Sequence, residues 1–246
     1  AALLEGAPAP EPLLASIAAG QRPDGSWPFA GEPANPSSLH ETCRMLQLLA
    51  DLDAPEHPAA AAGRGYLSQT QSPRGFWREQ QALAALQPPL WMDPESDDAT
   101  IYTTALCAAT LGAVENPDML AVDQAVTWIQ PQVASNGLLP GFRIHATALA
   151  VRALVAAAHR ETRSVRRMVG GLGDHLSAEW DAPTLAVVID SLGAAGFPRA
   201  TRVIERALPL LSKLQRPDGA WPDEQNQPDG QLTWQIVRAA RRLGVR

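Results

Sequence analysis

Gln21 to Pro28 reads QRPDGSWP and Gln215 to Pro222 reads QRPDGAWP, so seven of eight residues agree across 194 positions. A weaker copy, QSPRGFW, runs from Gln71 to Trp77 with its Gln, Gly and Trp at the same offsets. Self-similarity at intervals of tens of residues marks a repeat architecture, in which each unit buries its apolar face only against its neighbours. Pro-Asp-Gly is a turn signal, with Gly supplying a positive φ. Trp brings a large apolar surface and one donor that needs an acceptor when buried. The Gln amide, a few residues earlier, is placed to satisfy an orphan carbonyl at a helix end. Each copy therefore reads as the end of one helix, a tight turn, and an indole that pins it. These residues mark a scaffold rather than a catalytic centre.

Alanine-rich helical segments fill most of the remaining sequence. Punctuation by caps, Gly and Pro predicts helices over 11–20, 38–53, 57–71, 97–113, 117–134, 144–159, 161–178, 182–195, 199–215 and 230–244. A short helix is expected over 78–87, ahead of Pro88-Pro89. Ser38 and Glu41 have capping-box spacing, and Asn116-Pro117 reads as an N-cap followed by Pro at the first helical position. The segments at 97–113, 144–158 and 182–195 are apolar on nearly all faces, as helices without a solvent face are. Those at 117–134, 161–178 and 199–215 carry charge on part of their surface. This alternation predicts a double ring, an inner barrel of helices inside an outer one. No linker interrupts the pattern, so residues 11–246 are expected as one domain and the Ala/Pro-rich residues 1–10 as a flexible arm.

A chain of 246 residues can bury a substantial core without disulfides. A net charge of −6 gives no broad attraction to nucleic acid or anionic membrane. Cys43 and Cys107 lie in apolar helical contexts with no CxxC or Cys/His cluster, which predicts buried free thiols and a reducing, cytoplasmic setting. No apolar run is long enough to span a bilayer. The start of the chain lacks a Met and a basic stretch, and reads as trimmed rather than as a signal peptide.

The Gln-x-x-Asp-Gly-x-Trp element resembles the QW motif of the squalene–hopene cyclase-like triterpene cyclases. Similar repeats occur in the wider terpene cyclase and prenyltransferase superfamily. The resemblance implies an all-α fold, a single α/α toroid of roughly 10–12 helices over residues 11 to 244. It leaves activity open, because one fold hosts many functions. Class II cyclases carry an Asp-x-Asp-Asp element whose third residue protonates an alkene. Glu95-Ser96-Asp97-Asp98 matches it in part, with Glu for the first Asp and Ala99 inserted before Thr100. By this correspondence Asp97 is the proton donor, with Glu95 and Asp98 beside it. Burial and adjacent carboxylates both raise a carboxyl pKa, as such a donor requires. The same residues also read as an ordinary N-cap and an acidic first turn.

If the inner helices of a toroid start at one end, several polar groups gather at one mouth: His40, Glu41, Asp97, Asp98, His145, Asp181, Gln231 and Thr233. His145 heads an otherwise apolar helix, where a neutral imidazole can accept a proton or position a water, or simply bond at the helix start. Asp181 reads most simply as an N-cap. Trp91, Trp180 and Trp234 lie outside the repeats; aromatic faces stabilise cations, and they also pack. With His40 and Tyr102 they make the candidate substrate-binding set. Aromatic residues total only 5% of the chain, fewer than the resemblance to polyene cyclases leads one to expect. Cys43 and Cys107 lack the Asp-x-Cys pattern of zinc prenyltransferases, and Asp97-Asp98 lacks the third acid of a magnesium motif. No metal and no cofactor are therefore expected.

The reading is a class II-like terpene cyclase, an isomerase or lyase acting on an isoprenoid or other apolar polyene through an acid-generated carbocation. The alternative is a non-catalytic toroid that binds an apolar ligand or a partner protein. A homodimer, a second domain elsewhere in a longer protein, and peripheral membrane contact all stay open.

Overall fold

Apolar periodicity becomes ten α-helices in the computed structural model, which describes residues 11–113, 118–160 and 162–245. They are α1 (Glu11–Ala19), α2 (Leu39–Asp51), α3 (Pro58–Thr70), α4 (Asp97–Leu111), α5 (Met119–Ile129), α6 (Arg143–Ala156), α7 (Arg163–Asp174), α8 (Ala182–Ala194), α9 (Arg202–Lys213) and α10 (Gly230–Arg242). The expected arm at 1–10 and the Asn116-Pro117 cap lie outside the described residues. The expected helix at 78–87 is instead a 3₁₀ segment, Gln81–Leu86. Gln87 closes it in the left-handed region, and Pro88-Pro89 removes the donors an α-helix would need to continue.

The described residues form two compact units, one up to Ile129 and one from Gln130. In the first, α2 packs on α3 and on α4, and α4 packs on α5. In the second, α6 packs on α7 and α8, and α8 packs on α9 and α10. Within each unit the even-numbered helices thus contact one another directly. Ten of the fifteen residues of α4 are buried, as are most residues of α6 and α8. The odd-numbered helices α5, α7 and α9 bury one face only. This is the alternation of fully buried and half-buried helices read from composition.

The three sequence copies form one structure repeated. In each, Gln donates its side-chain amide to the Gly carbonyl four residues on: Gln21 to Gly25, Gln71 to Gly75 and Gln215 to Gly219, at 2.8–3.0 Å. The indole N–H of Trp27, Trp77 and Trp221 donates to Ile17, Leu67 and Leu211, in the last turn of the preceding helix, at 2.7–3.0 Å. The Trp main-chain N–H donates to a threonine hydroxyl on the following helix, Thr42, Thr104 or Thr233, at 3.0–3.1 Å. Each threonine donates in turn to the carbonyl four residues back.

Gln21 and Gln71 do not cap the helix they follow, as their position suggested. Their second amide proton goes forward, to the Ala59 carbonyl at the head of α3 and the Ala121 carbonyl at the head of α5, each at 2.8 Å. Gly25 and Gly75 lie flat against the same helices, where a Cβ would run into the Ala62 and Gln124 carbonyls. The turn at 134–139 is a fourth copy. Gly137 lies equally close to the Arg167 carbonyl of α7, and the Leu139 N–H donates to Thr147 at 2.9 Å. Leu139 takes the Trp position and Val133 the Gln position.

Candidate functional site

The N-termini of α2 and α4 position most of the sequence-derived candidates in the first unit. Ser38 caps α2, its hydroxyl accepting from the Glu41 N–H at 3.2 Å. The Glu41 carboxylate does not complete the expected capping box; it pairs with Arg44 at 2.8 Å. Glu79, from the loop after the second repeat turn, takes that place. One Glu79 oxygen accepts from the Ser38 hydroxyl and the His40 N–H, both at 2.9 Å, and the other accepts from the Leu39 N–H at 3.0 Å. Glu79 is 5% exposed. Burial pushes its carboxyl above the usual carboxylate range, opposed by the hydrogen bonds from His40, Leu39 and Ser38. Sequence reasoning passed over Glu79, because nothing local ties it to a helix head some forty residues away.

This cap fixes His40. Its imidazole packs on Trp91 with ring centroids 4.5 Å apart, and Trp91 meets Tyr102 edge-on at 6.0 Å. The three rings come from α2, the 3₁₀ turn Leu90–Met92 and α4, and all are half-buried. Three of the five expected substrate-binding residues are thus brought together. Burial pulls His40 down to about 4, with Arg44 acting in the same direction, so the ring is neutral near pH 7. Among the described residues its Nδ1 is buried without a hydrogen-bond partner. Burial also pushes the Tyr102 hydroxyl well above its ordinary value. Beneath the rings Cys43 and Cys107 lie with their Sγ atoms 3.7 Å apart, both buried free thiols.

The acidic segment stands at the head of α4. Ser96 is the N-cap, accepting from the Ala99 N–H at 3.2 Å, and Asp97 and Asp98 form the first turn. Asp97 is not buried: its side chain is 92% exposed and pairs with Arg78 at 2.6 Å. Glu95 is exposed and accepts from the Gln81 amide at 2.8 Å. Asp98 is exposed and has no hydrogen bond or ion pair among the described residues. It stands four residues before Tyr102, so these two share a face of α4.

The other candidates lie in the second unit. His145 sits in the first turn of α6, half-buried. Burial holds its protonation below the usual histidine range, while the nearby charges of Asp181 and Glu224 act the other way. Asp181 caps α8, accepting from the Thr184 N–H at 2.9 Å. Trp180 packs on the apolar core formed by Leu185, Ile189, Leu211 and Trp221. Trp234 is half-buried on α10. Among the described residues no group of three His, Cys, Asp or Glu is placed to hold a metal ion, and no helix is long and apolar enough to cross a membrane.

Proteins of known structure share this fold. Type II terpene cyclase MstE from Scytonema, in its apo form, superposes with a TM-score of 0.65 at 16% identity, covering 94% of this chain and 81% of that one. A protein from Actinoplanes gives a TM-score of 0.63 at 20% identity, covering 94% and 82%. The fold is that of the terpene cyclase-like α/α toroids. In sequence, this toroid is 27% identical over 240 residues to a drimenyl diphosphate synthase from Streptomyces showdoensis. The match takes in 88% of this chain but only 42% of that relative, so the toroid spans less than half the relative's length. A variant of MstE has been solved in complex with geranylgeranyl dihydroxybenzoate as substrate, and it too shares the toroid fold, with a TM-score of 0.60 at 16% identity over 94% of this chain and 79% of that one. No protein-family profile matches the chain.

Proposed function

We propose that this chain is a class II terpene cyclase-like enzyme acting on an isoprenoid or other apolar polyene. The observation that carries the reading is the head of α4, where Asp97 and Asp98 form the first turn one helical turn before Tyr102, whose ring meets Trp91 edge-on. In the proposed reaction a carboxyl proton adds to an alkene carbon and leaves a carbocation. Neighbouring alkenes close rings onto it, and loss of a proton to a base returns a neutral product. Aromatic faces stabilise the cation in transit through their quadrupole. Asp97 is the donor by its place in the Glu95-Ser96-Asp97-Asp98 element, with Asp98 and Glu95 as neighbouring acids. His145 is proposed as a base, and Trp180 and Trp234 as further substrate contacts. The donor works only away from bulk water, so the proposal requires that substrate or further polypeptide covers the head of α4. Similarity to a drimenyl diphosphate synthase and to MstE supports an isoprenoid substrate.

A second reading, a toroid that binds an apolar ligand without turnover, is favoured by one observation: Asp97 is exposed and is one half of an ion pair. Incubation with acyclic polyprenyl substrates separates the two. Cyclised product from wild type, lost in Asp97→Asn, supports the enzyme. Binding without product supports the second reading.

A further inference from the structure

Arg152 interrupts the apolar run of α6, two turns beyond His145, and its side chain is only 15% exposed. A guanidinium in such a place is costly unless charged and hydrogen-bonded partners surround it. Among the described residues Arg152 makes no hydrogen bond, and its one ion pair, to an Asp190 oxygen on α8, is 3.9 Å long. Burial works against the Arg152 charge, and the Asp190 carboxylate supports it.

Asp190 is itself buried and already engaged. Its Oδ1 accepts from Arg242 at 2.8 Å and its Oδ2 from Arg238 at 2.9 Å, both on α10. Both α6 and α10 pack on α8, so guanidiniums from two helices converge on one carboxylate. Among the described residues Asp190 is the one carboxylate paired with Arg152 or with Arg242. The last turn of α10 favours the Arg242 charge through the helix dipole, but it gives Arg152 no acceptor. The Arg242 side chain is 38% exposed, so the cluster has a face toward solvent.

An anion completes such a cluster, and chemistry selects its class. A phosphate group carries about −1.5 to −2 charges at neutral pH. Its oxygens match the planar fork of a guanidinium, which engages two of them at once. We infer that Arg152 and Arg242 hold a phosphate-class oxyanion, either a free ion or the phosphate head of a larger ligand. Asp190 orients the two guanidiniums, and its short bonds to α10 offset its own charge. The site lies about 10 Å along α6 from His145, away from the helix heads, and does not rest on the cyclase reading.

Calorimetric titration of the whole chain, in a phosphate-free buffer at fixed ionic strength, tests this. Inorganic phosphate is expected to bind with a Kd below about 1 mM. Arg152→Gln and Arg242→Gln should each weaken binding by about tenfold or more, and Arg152→Lys, which keeps the charge but loses the fork, by less. Arg166→Gln, exposed on α7, should bind as wild type does. Circular dichroism checks that each variant is folded; if Arg152→Gln is not, Arg242→Gln decides, because its side chain reaches the surface. Geranylgeranyl diphosphate as a second titrant separates the two sources. Displacement of phosphate that depends on Arg152 and Arg242 supports a head-group site, and phosphate binding that it leaves untouched supports a free-ion site. Wild type that binds neither titrant up to about 10 mM, Arg152 and Arg242 variants that bind as tightly as wild type, or an equal loss in Arg166→Gln would each overturn the inference.

Discussion

Glu79 and His40 stand 39 residues apart in sequence, yet a Glu79 carboxylate oxygen accepts the His40 main-chain N–H at 2.9 Å. One buried acid thereby holds the head of α2 and aims the imidazole at Trp91. The aromatic face of the candidate site depends on this contact between two hairpins.

Replacing Glu79 with Ala leaves three donors at the α2 head unanswered. The expected cost is about 2–4 kcal/mol, read as a fall in melting temperature. His40 and Trp91 should also separate, which ring-current shifts in an NMR spectrum report.

Glu79 and His40 pull stability in opposite directions with pH. The Glu79 carboxyl is raised in the folded state above its ordinary 4.5, so its contribution is fully present below that value and declines as pH rises through the folded value. His40 is lowered from 6.5 to about 4, so the folded state loses stability as pH falls from 6.5 towards 4. Thermal melts of His40→Phe should therefore show a weaker loss between pH 6.5 and 4 than wild type. Equal losses would mean that His40 protonates freely.

The first and last repeat turns should respond differently to the same change. Gln21→Ala removes two hydrogen bonds, including the one to α3, and should cost about 1–2 kcal/mol; Gln215→Ala should cost under about 0.5 kcal/mol. Gly25→Ala and Gly219→Ala share the same backbone strain, at φ of 88° and 86°. Only Gly25→Ala also drives a methyl into the Ala62 carbonyl. Urea unfolding of the four variants measures the difference directly.

Trp77 is fully buried, with its indole N–H on the Leu67 carbonyl at 2.7 Å. Trp77→Phe leaves that carbonyl with only the longer bond from the Thr70 hydroxyl, at 3.2 Å, and a void beside it. A loss of about 2–4 kcal/mol is expected in chemical denaturation.

Much of this architecture was legible in the sequence, because its causes are local. Apolarity on all faces marked α4, α6 and α8, Pro-Asp-Gly with Trp marked two turns, and Pro-Arg-Gly with Trp marked a third. The fourth turn was hidden, since Leu139 and Val133 replace the residues that identify the others while the Gly137 backbone does the same work. Glu79 was hidden because its partners lie in another hairpin. The acids at the α4 head were visible, but their surroundings were not: the same letters serve a buried donor or an exposed first turn. Asp97 is of the exposed kind in this chain, paired with Arg78.

The central claim is acid-initiated cyclisation at the head of α4, and deuterium uptake tests it most directly. Wild type, Asp97→Asn and Asp98→Asn are incubated with acyclic polyprenyl substrates in D₂O, and products are read by mass spectrometry. The account predicts a cyclised product from wild type carrying one solvent deuterium, with a loss of about 100-fold or more in Asp97→Asn. Equal product from wild type and Asp97→Asn, or a cyclised product without solvent deuterium, would contradict it.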